Sequence, residues 1–148
     1  MSEVYTENNI SWNITKPLST AVIYARDDTT IPVPTSILNK KKKILKGDSV
    51  VLVWNGQEPI ITTPVHGTTL KSIFTSVEKG MMQNIPANQN VINIYSAIGN
   101  FLRKPDRLKL IKKFESGKLK PVDLVGDHQY FEGNITKKNH IWQFALGS

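Results

Sequence analysis

The stretch KKKKILKGDSVVLVWNGQEPIITTPV, residues 40–65, sets a run of lysines directly before two apolar segments. These segments, DSVVLVW (48–54) and EPIITTPV (58–65), flank Asn55-Gly56. An Asn-Gly pair between two apolar runs is the strongest short signal for a β-hairpin, because both turn positions take positive φ angles. We therefore predict a hairpin here. A Lys-Gly-Asp turn leading into Val-rich strands also suits a small SH3-like barrel.

Further strands are predicted on both sides of this hairpin. TAVIYAR (20–26) and IPVPTSIL (31–38) are rich in β-branched residues, and Pro32 and Pro34 confine the second segment to a sheet edge or an irregular stretch. Near the C-terminus, QYFEGNIT and HIWQFALG predict a second hairpin around Lys137-Lys138-Asn139.

Helical periodicity dominates the middle of the chain. In GTTLKSIFTSVEKGMM, Thr68 or Thr69 is a candidate N-cap, and apolar residues then recur at steps of three and four: Leu70, Ile73, Phe74, Val77 and Met81. After Asn90, a second candidate cap, a continuous apolar stripe predicts another helix: Val91, Ile94, Tyr95, Ile98, Phe101 and Leu102.

A third helix is predicted from Pro105, a residue favoured in the first turn, to Gly117, which ends it. Its expected inward residues are Leu108, Ile111 and Phe114, with lysines on the opposite face. Together these patterns predict an α+β fold in a single compact domain, residues 1–148. It has a β-rich part (1–66), a helical part (67–117) and a C-terminal hairpin (118–148).

Composition excludes several classes of protein. The 148 residues contain no cysteine, which rules out disulfides, thiolate metal sites and cysteine catalysis. We see neither an 18-residue apolar run nor a signal peptide, so we expect an intracellular protein of the cytoplasm, or of the host cytoplasm if the source is viral. No motif predicts a cofactor or a metal site.

The net charge of +7 is concentrated in two segments: residues 40–46 carry five lysines, and residues 103–120 carry eight basic side chains against two acidic ones. Concentrated charge creates a local positive potential that attracts polyanions. The candidate nucleic-acid-binding residues form a lysine run (Lys40, Lys41, Lys42, Lys43, Lys46), a cluster on and around the third predicted helix, which is named α4 below and gives the α4 cluster its name (Arg103, Lys104, Arg107, Lys109, Lys112, Lys113, Lys118, Lys120), and a pair in the last hairpin (Lys137, Lys138).

Explanations of the basic clusters that involve no binding compete with this interpretation. A lysine run can simply keep an apolar strand from aggregating. The α4 cluster argues more strongly for binding, because its exposed face is almost entirely positive and like charges one turn apart destabilise a helix. We expect the helix to contribute more, since it presents its charges as a rigid row.

The type of partner follows from the residue types. Lysine outnumbers arginine 16 to 3, and lysine suits phosphates better than guanine edges. Aromatic residues on the predicted strands could stack on bases, but such residues more often form the core: Trp54, Tyr130, Phe131, Trp142 and Phe144. Sequence-nonspecific contact with duplex DNA is therefore favoured over RNA.

Enzymatic interpretations are weaker. His66 precedes Gly67-Thr68-Thr69, where helix amides could hold a phosphate, but the segment is one glycine short of a phosphate loop. Asp127, His128 and Glu132 could imitate an acid–base or metal cluster, although the first two would point to opposite faces of a strand.

The sequence thus predicts a non-enzymatic nucleic-acid-binding protein, an accessory protein of a phage or low-GC bacterium. The alternative is an interaction module that docks on an acidic host or partner protein. A small hydrolase or transferase that uses His66 or His128 is the third hypothesis.

Overall fold

The computed structural model of the chain describes residues 7–24, 29–53 and 62–147 and has the predicted α+β character. Its strands are β1 (Ile10–Asn13), β2 (Val22–Tyr24), β3 (Thr30–Pro32), β4 (Ser49–Val53), β5 (Thr62–Pro64), β6 (Tyr130–Lys138) and β7 (Ile141–Gly147). Its α-helices are α1 (Thr35–Leu38), α2 (Leu70–Met81), α3 (Val91–Gly99) and α4 (Lys104–Glu115). Short 3₁₀ turns cover Glu7–Asn9, Leu18–Thr20 and Pro121–Asp123.

The described strands form one seven-stranded sheet in the order β3-β2-β1-β6-β7-β4-β5. All neighbouring pairs are antiparallel except β4 and β7, which run parallel. The C-terminal hairpin therefore lies between the two groups of N-terminal strands. This arrangement differs from the SH3-like barrel considered for the N-terminal part, because β1 pairs with β6 and β4 with β7.

The predicted first hairpin is present as far as the structure describes it. Strands β4 and β5 pair antiparallel, with Val50 opposite Thr63, but Asn55-Gly56 and Trp54 lie outside the described residues. The Pro-rich segment forms an edge strand, β3, as expected, and then a short helix, α1, which was not predicted.

The second predicted hairpin is also confirmed, with its turn one residue later than expected. Lys138 pairs with Ile141, so Asn139 and His140 make the connection, and Asn139 takes a positive φ of 57°. The register shifts between Phe131 and Ile135, where β6 bulges around Gly133.

The core lies between the sheet and α2. Four fully buried aromatic residues meet there, in edge-to-face, tilted or stacked contacts: Trp12, Phe74, Phe131 and Phe144. Trp142 is 7% exposed. Phe131, Phe144 and Trp142 are thus core residues, as expected for aromatic residues on strands. Their rings are covered and are not available to stack on bases.

Helix α2 begins and packs as predicted. The hydroxyl of Thr69 accepts a hydrogen bond from the N–H of Ser72. The hydroxyl of Ser72 in turn accepts one from the N–H of Thr69, which completes a capping box. All five predicted apolar positions are buried.

Helix α4 contains Pro105 in its first turn and ends in a Schellman motif at Gly117. The N–H of Gly117 bonds the carbonyl of Phe114, and the N–H of Lys118 bonds that of Lys113. One predicted inward residue is wrong: Leu108 is 55% exposed, and Leu110 is buried instead. The packed face of α4 consists of Leu110 and Phe114, with half-buried Ile111 beside them.

Helix α3 is less covered than its apolar stripe predicts. Ile94 and Ile98 are buried, but Val91 and Tyr95 are exposed, and the helix ends at Gly99, so that exposed Leu102 lies beyond it. Asn90 occupies the N-cap position in a left-handed conformation, with φ of 52°, rather than the extended conformation of an ordinary cap.

Candidate nucleic-acid interface

The lysine run lies along the start of α2 and is held there by main-chain hydrogen bonds. The carbonyl of Lys40 accepts from the N–H of Leu70 at 2.9 Å, and the N–H of Lys42 donates to the carbonyl of Thr68 at 2.8 Å. The backbone of this run is therefore ordered even though most of its side chains face solvent.

Asp48, at the end of the same segment, is a carboxylate buried beneath the run. Its side chain accepts hydrogen bonds from the N–H of Leu45 at 2.9 Å, Nζ of Lys137 at 3.0 Å, Nδ1 of His140 at 2.8 Å and Nε1 of Trp142 at 3.0 Å. The bond from Leu45, supported by those from the three side chains, holds the pKa of Asp48 well below its usual range. These bonds outweigh burial, which by itself raises the pKa.

This carboxylate joins the lysine run to the tip of the last hairpin. Nζ of Lys137 also donates to the carbonyl of Lys43 at 2.8 Å, and the N–H of Ser49 donates to the carbonyl of His140 at 2.8 Å. Segments that are 94 residues apart in the chain are thereby fixed side by side. Lys138, the neighbour of Lys137, remains exposed at this junction.

The predicted cations of this region divide into two groups. Lys42 forms an ion pair with Glu7, and Lys137 is paired with Asp48 and lies 5.1 Å from the centre of the Trp142 ring. The others are exposed and make no ion pair with any residue that the structure describes; we call them the lysine surface: Lys40, Lys41, Lys43, Lys46 and Lys138.

In the α4 cluster, two cations are used inside the fold. Nη1 of Arg107 donates to the carbonyls of Phe101 and Leu102 at 2.6 and 3.0 Å and so ties α4 to the end of α3. Nζ of Lys113 lies 3.3 Å from a carboxylate oxygen of Asp123. These two side chains are therefore structural in the folded chain.

The rest of the α4 cluster is more open. Arg103 lies 4.0 Å from the carboxylate of Asp106, with both side chains largely exposed, and Lys120 is partly buried. Four lysines are exposed: Lys104, Lys109, Lys112 and Lys118.

The lysine run and the α4 cluster are associated with opposite ends of α2. The lysine run contacts the first residues of α2, whereas Leu119, beside the α4 cluster, accepts a hydrogen bond from Ile85, just beyond the end of that helix. A helix of 12 residues is about 18 Å long. The chain thus carries two basic surfaces rather than one.

The candidate histidines lie at cavities. His66 is exposed and lines a cavity of about 550 Å³ with Leu45 and Asp48. His128 and Asp127 lie in the loop before β6 and line one cavity of about 560 Å³ with Arg103 and Asp106. The expectation that Asp127 and His128 point to opposite faces of a strand is therefore wrong, because neither is in a strand.

Two further observations concern the described residues only. No three His, Asp or Glu side chains among them come together in a way that could hold a metal ion. No helix in the described ranges combines the length and the apolar character needed to cross a membrane.

Asp48 and His140 were not among the residues predicted to form a site. A Gly-Asp pair before a strand indicates only a turn, and the partners that give Asp48 its role are remote in the chain.

Comparisons with protein families, with curated proteins and with solved structures found no match to the chain. Its function must therefore be inferred from its own side chains and their geometry.

Proposed function

We propose that the protein binds nucleic acid without sequence specificity, duplex DNA in preference to RNA, and that the lysine surface is its main contact. The observation that carries the proposal is the junction at Asp48, which sets the hairpin tip against the lysine run and groups five exposed lysines that make no ion pair with a described residue. Point charges in such a group neutralise phosphates and release counterions.

We expect the lysine surface to contribute more than the α4 cluster, which is the reverse of the sequence-based expectation. Arg107 and Lys113 are held by groups of the protein itself, which removes two members of the expected rigid row. The lysine run, in contrast, has a backbone fixed to α2 and to the hairpin. Binding at the lysine surface therefore loses less conformational entropy.

The proposal includes an intracellular place of action, the cytoplasm of a bacterium or of a host cell, where nucleic acid is present. An accessory role in a phage or low-GC bacterium suits a protein that binds nucleic acid without sequence specificity. No catalytic step is part of the proposal.

Salt dependence measures the number of phosphate contacts. If all five lysines contact B-DNA phosphates, the logarithm of affinity falls with a slope of about −4.5 against the logarithm of salt, so affinity drops roughly 500-fold between 50 and 200 mM. Fluorescence anisotropy with a labelled 20-bp duplex across that range measures the slope.

Two charge-removal variants test the location. In the first, glutamine replaces the five residues of the lysine surface; in the matched control, it replaces Lys104, Lys109, Lys112 and Lys118. We expect the first variant to lose nearly the whole slope and the control to lose little. Binding by both variants with the parent's affinity and slope would overturn the proposal, and loss only in the control would move the site to α4.

A further inference from the structure

The solvent side of the α3–α4 pair is apolar to a degree that a surface helix rarely shows. Helix α3 has no charged residue from Val91 to Gly99, and Ile92 on it is 85% exposed. An exposed helix ordinarily presents charged or polar side chains on its outer face. Only part of the apolar surface of α3 is thus packed against the rest of the chain.

The helical repeat aligns apolar residues along each of the two helices. Ile92 and Tyr95 are three residues apart on α3, and Leu108 and Ile111 are three apart on α4, so each pair forms one stripe. The rings of Tyr95 and buried Phe114 are in edge-to-face contact at 5.5 Å, so half-exposed Tyr95 lies at the edge of the contact between the two helices.

The buried sides of both helices confirm that these stripes face outward. Ile94 and Ile98 of α3, and Leu110 and Phe114 of α4, point into the core. At about 100° per residue, Ile92 and Leu108 lie roughly opposite those residues. We call the exposed residues Ile92, Tyr95 and Leu108, with half-buried Ile111 beside them, the apolar seam.

Cations border the seam. Lys104 and Lys112 are one turn before and one turn after Leu108, and both are exposed without an ion pair to any described residue. A second copy of the chain would bring these lysines against their equivalents, an unfavourable arrangement of like charges. A partner with acidic side chains beside its apolar face would complement them.

We propose that the apolar seam binds an amphipathic helix of another protein, with its apolar stripe on Ile92, Tyr95 and Leu108 and its acidic residues beside Lys104 and Lys112. A third helix laid along the line between two packed helices buries both stripes at once, as helices do in bundles. This site does not include the lysine surface and does not depend on the nucleic-acid proposal.

The probe is a synthetic 20-residue helical peptide with leucines at helical spacing bordered by glutamates. The same peptide bordered by lysines is its control. We expect the full chain to bind the glutamate peptide, as measured by anisotropy of a labelled peptide, and to bind the lysine peptide at least about tenfold more weakly.

Variants of the chain locate the site. I92S and L108S together should weaken binding about tenfold or more while leaving thermal stability unchanged, because both side chains are exposed. M82S is the matched control, since Met82 is 57% exposed but lies outside the seam. The double variant should still bind duplex DNA, so this test and the test of the nucleic-acid proposal can fail separately.

Several outcomes would overturn the proposal. They are equal binding of the two peptides, no binding of either, or unchanged binding by the I92S/L108S variant. Self-association that the double variant abolishes in analytical ultracentrifugation would assign the seam to a second copy of the chain. Binding to vesicles of anionic lipid but not to the glutamate peptide would assign it to a membrane surface.

Discussion

Gly133 lets the N-terminal segment approach the C-terminal hairpin, and replacing it should be costly. Its φ of +94° lies in the region that side chains disfavour. A Cβ built there would lie 2.7 Å from the Cα of Asn8 and closer still to the Asn8 carbonyl. Because the obstructing atoms are backbone, no change of rotamer can relieve the clash.

Gly47 provides the matched comparison. Its φ is +91°, but a Cβ there would meet nothing within 4 Å. The change Gly47→Ala should therefore cost only the conformational strain, about 1–2 kcal/mol. Gly133→Ala should cost the same strain plus about 1–3 kcal/mol for overpacking.

Urea unfolding of the parent and both variants measures the difference. In a chain of this length, each kcal/mol lost from the free energy of unfolding also lowers the melting temperature by about 2–4 °C. We expect Gly133→Ala to unfold at clearly lower urea concentration than Gly47→Ala, with similar m-values. Equal losses in the two variants would refute the close packing of Asn8 against the β6 bulge.

Two further predictions concern Asp48, which precedes β4, and Thr69, the N-cap of α2. Because the pKa of Asp48 is lowered by folding, its ionised form stabilises the fold above its unfolded pKa of about 3.9, and this contribution is lost as the pH falls toward the lower folded pKa. Asp48→Asn should therefore flatten the decline of the urea midpoint between pH 5 and 2, and a parallel decline in variant and parent would contradict this assignment. Thr69→Ala should lower the free energy of unfolding by about 1 kcal/mol through loss of the α2 cap, whereas Thr68→Ala should not, as measured by the same titration.

Local signals in the sequence were enough for elements whose stability is decided locally. The apolar repeat and the cap at Thr69 define α2, and the glycine at position 117 defines the end of α4. Strand β1, in contrast, has only four residues, Ile10–Asn13, in an asparagine-rich stretch. It becomes a strand through pairing with β2 and β6, and no local pattern reports that pairing.

The candidate sites show the same division. Clustering of lysine along the chain was visible, but which lysines stay unpaired depends on remote acids, such as Glu7 for Lys42 and Asp123 for Lys113. The apolar stripe of α3 was visible too, yet periodicity cannot tell how much of a stripe the fold covers. Tertiary packing alone decides that Val91 and Tyr95, two members of this stripe, remain exposed.

Lys137 and Lys138 separate the structural from the binding role of charge, because they are adjacent and chemically identical. Lys137 is paired with buried Asp48 and bonds the Lys43 carbonyl, whereas Lys138 is exposed and makes no ion pair with a described residue. Lys137→Gln should lower the melting temperature, since it leaves the Asp48 carboxylate without its cation. Lys138→Gln should leave the melting temperature unchanged but reduce the salt slope for duplex DNA by about 0.9. Each variant removes one positive charge, so a general effect of net charge would change binding equally in both. Equal effects on binding would show that Lys138 makes no specific phosphate contact.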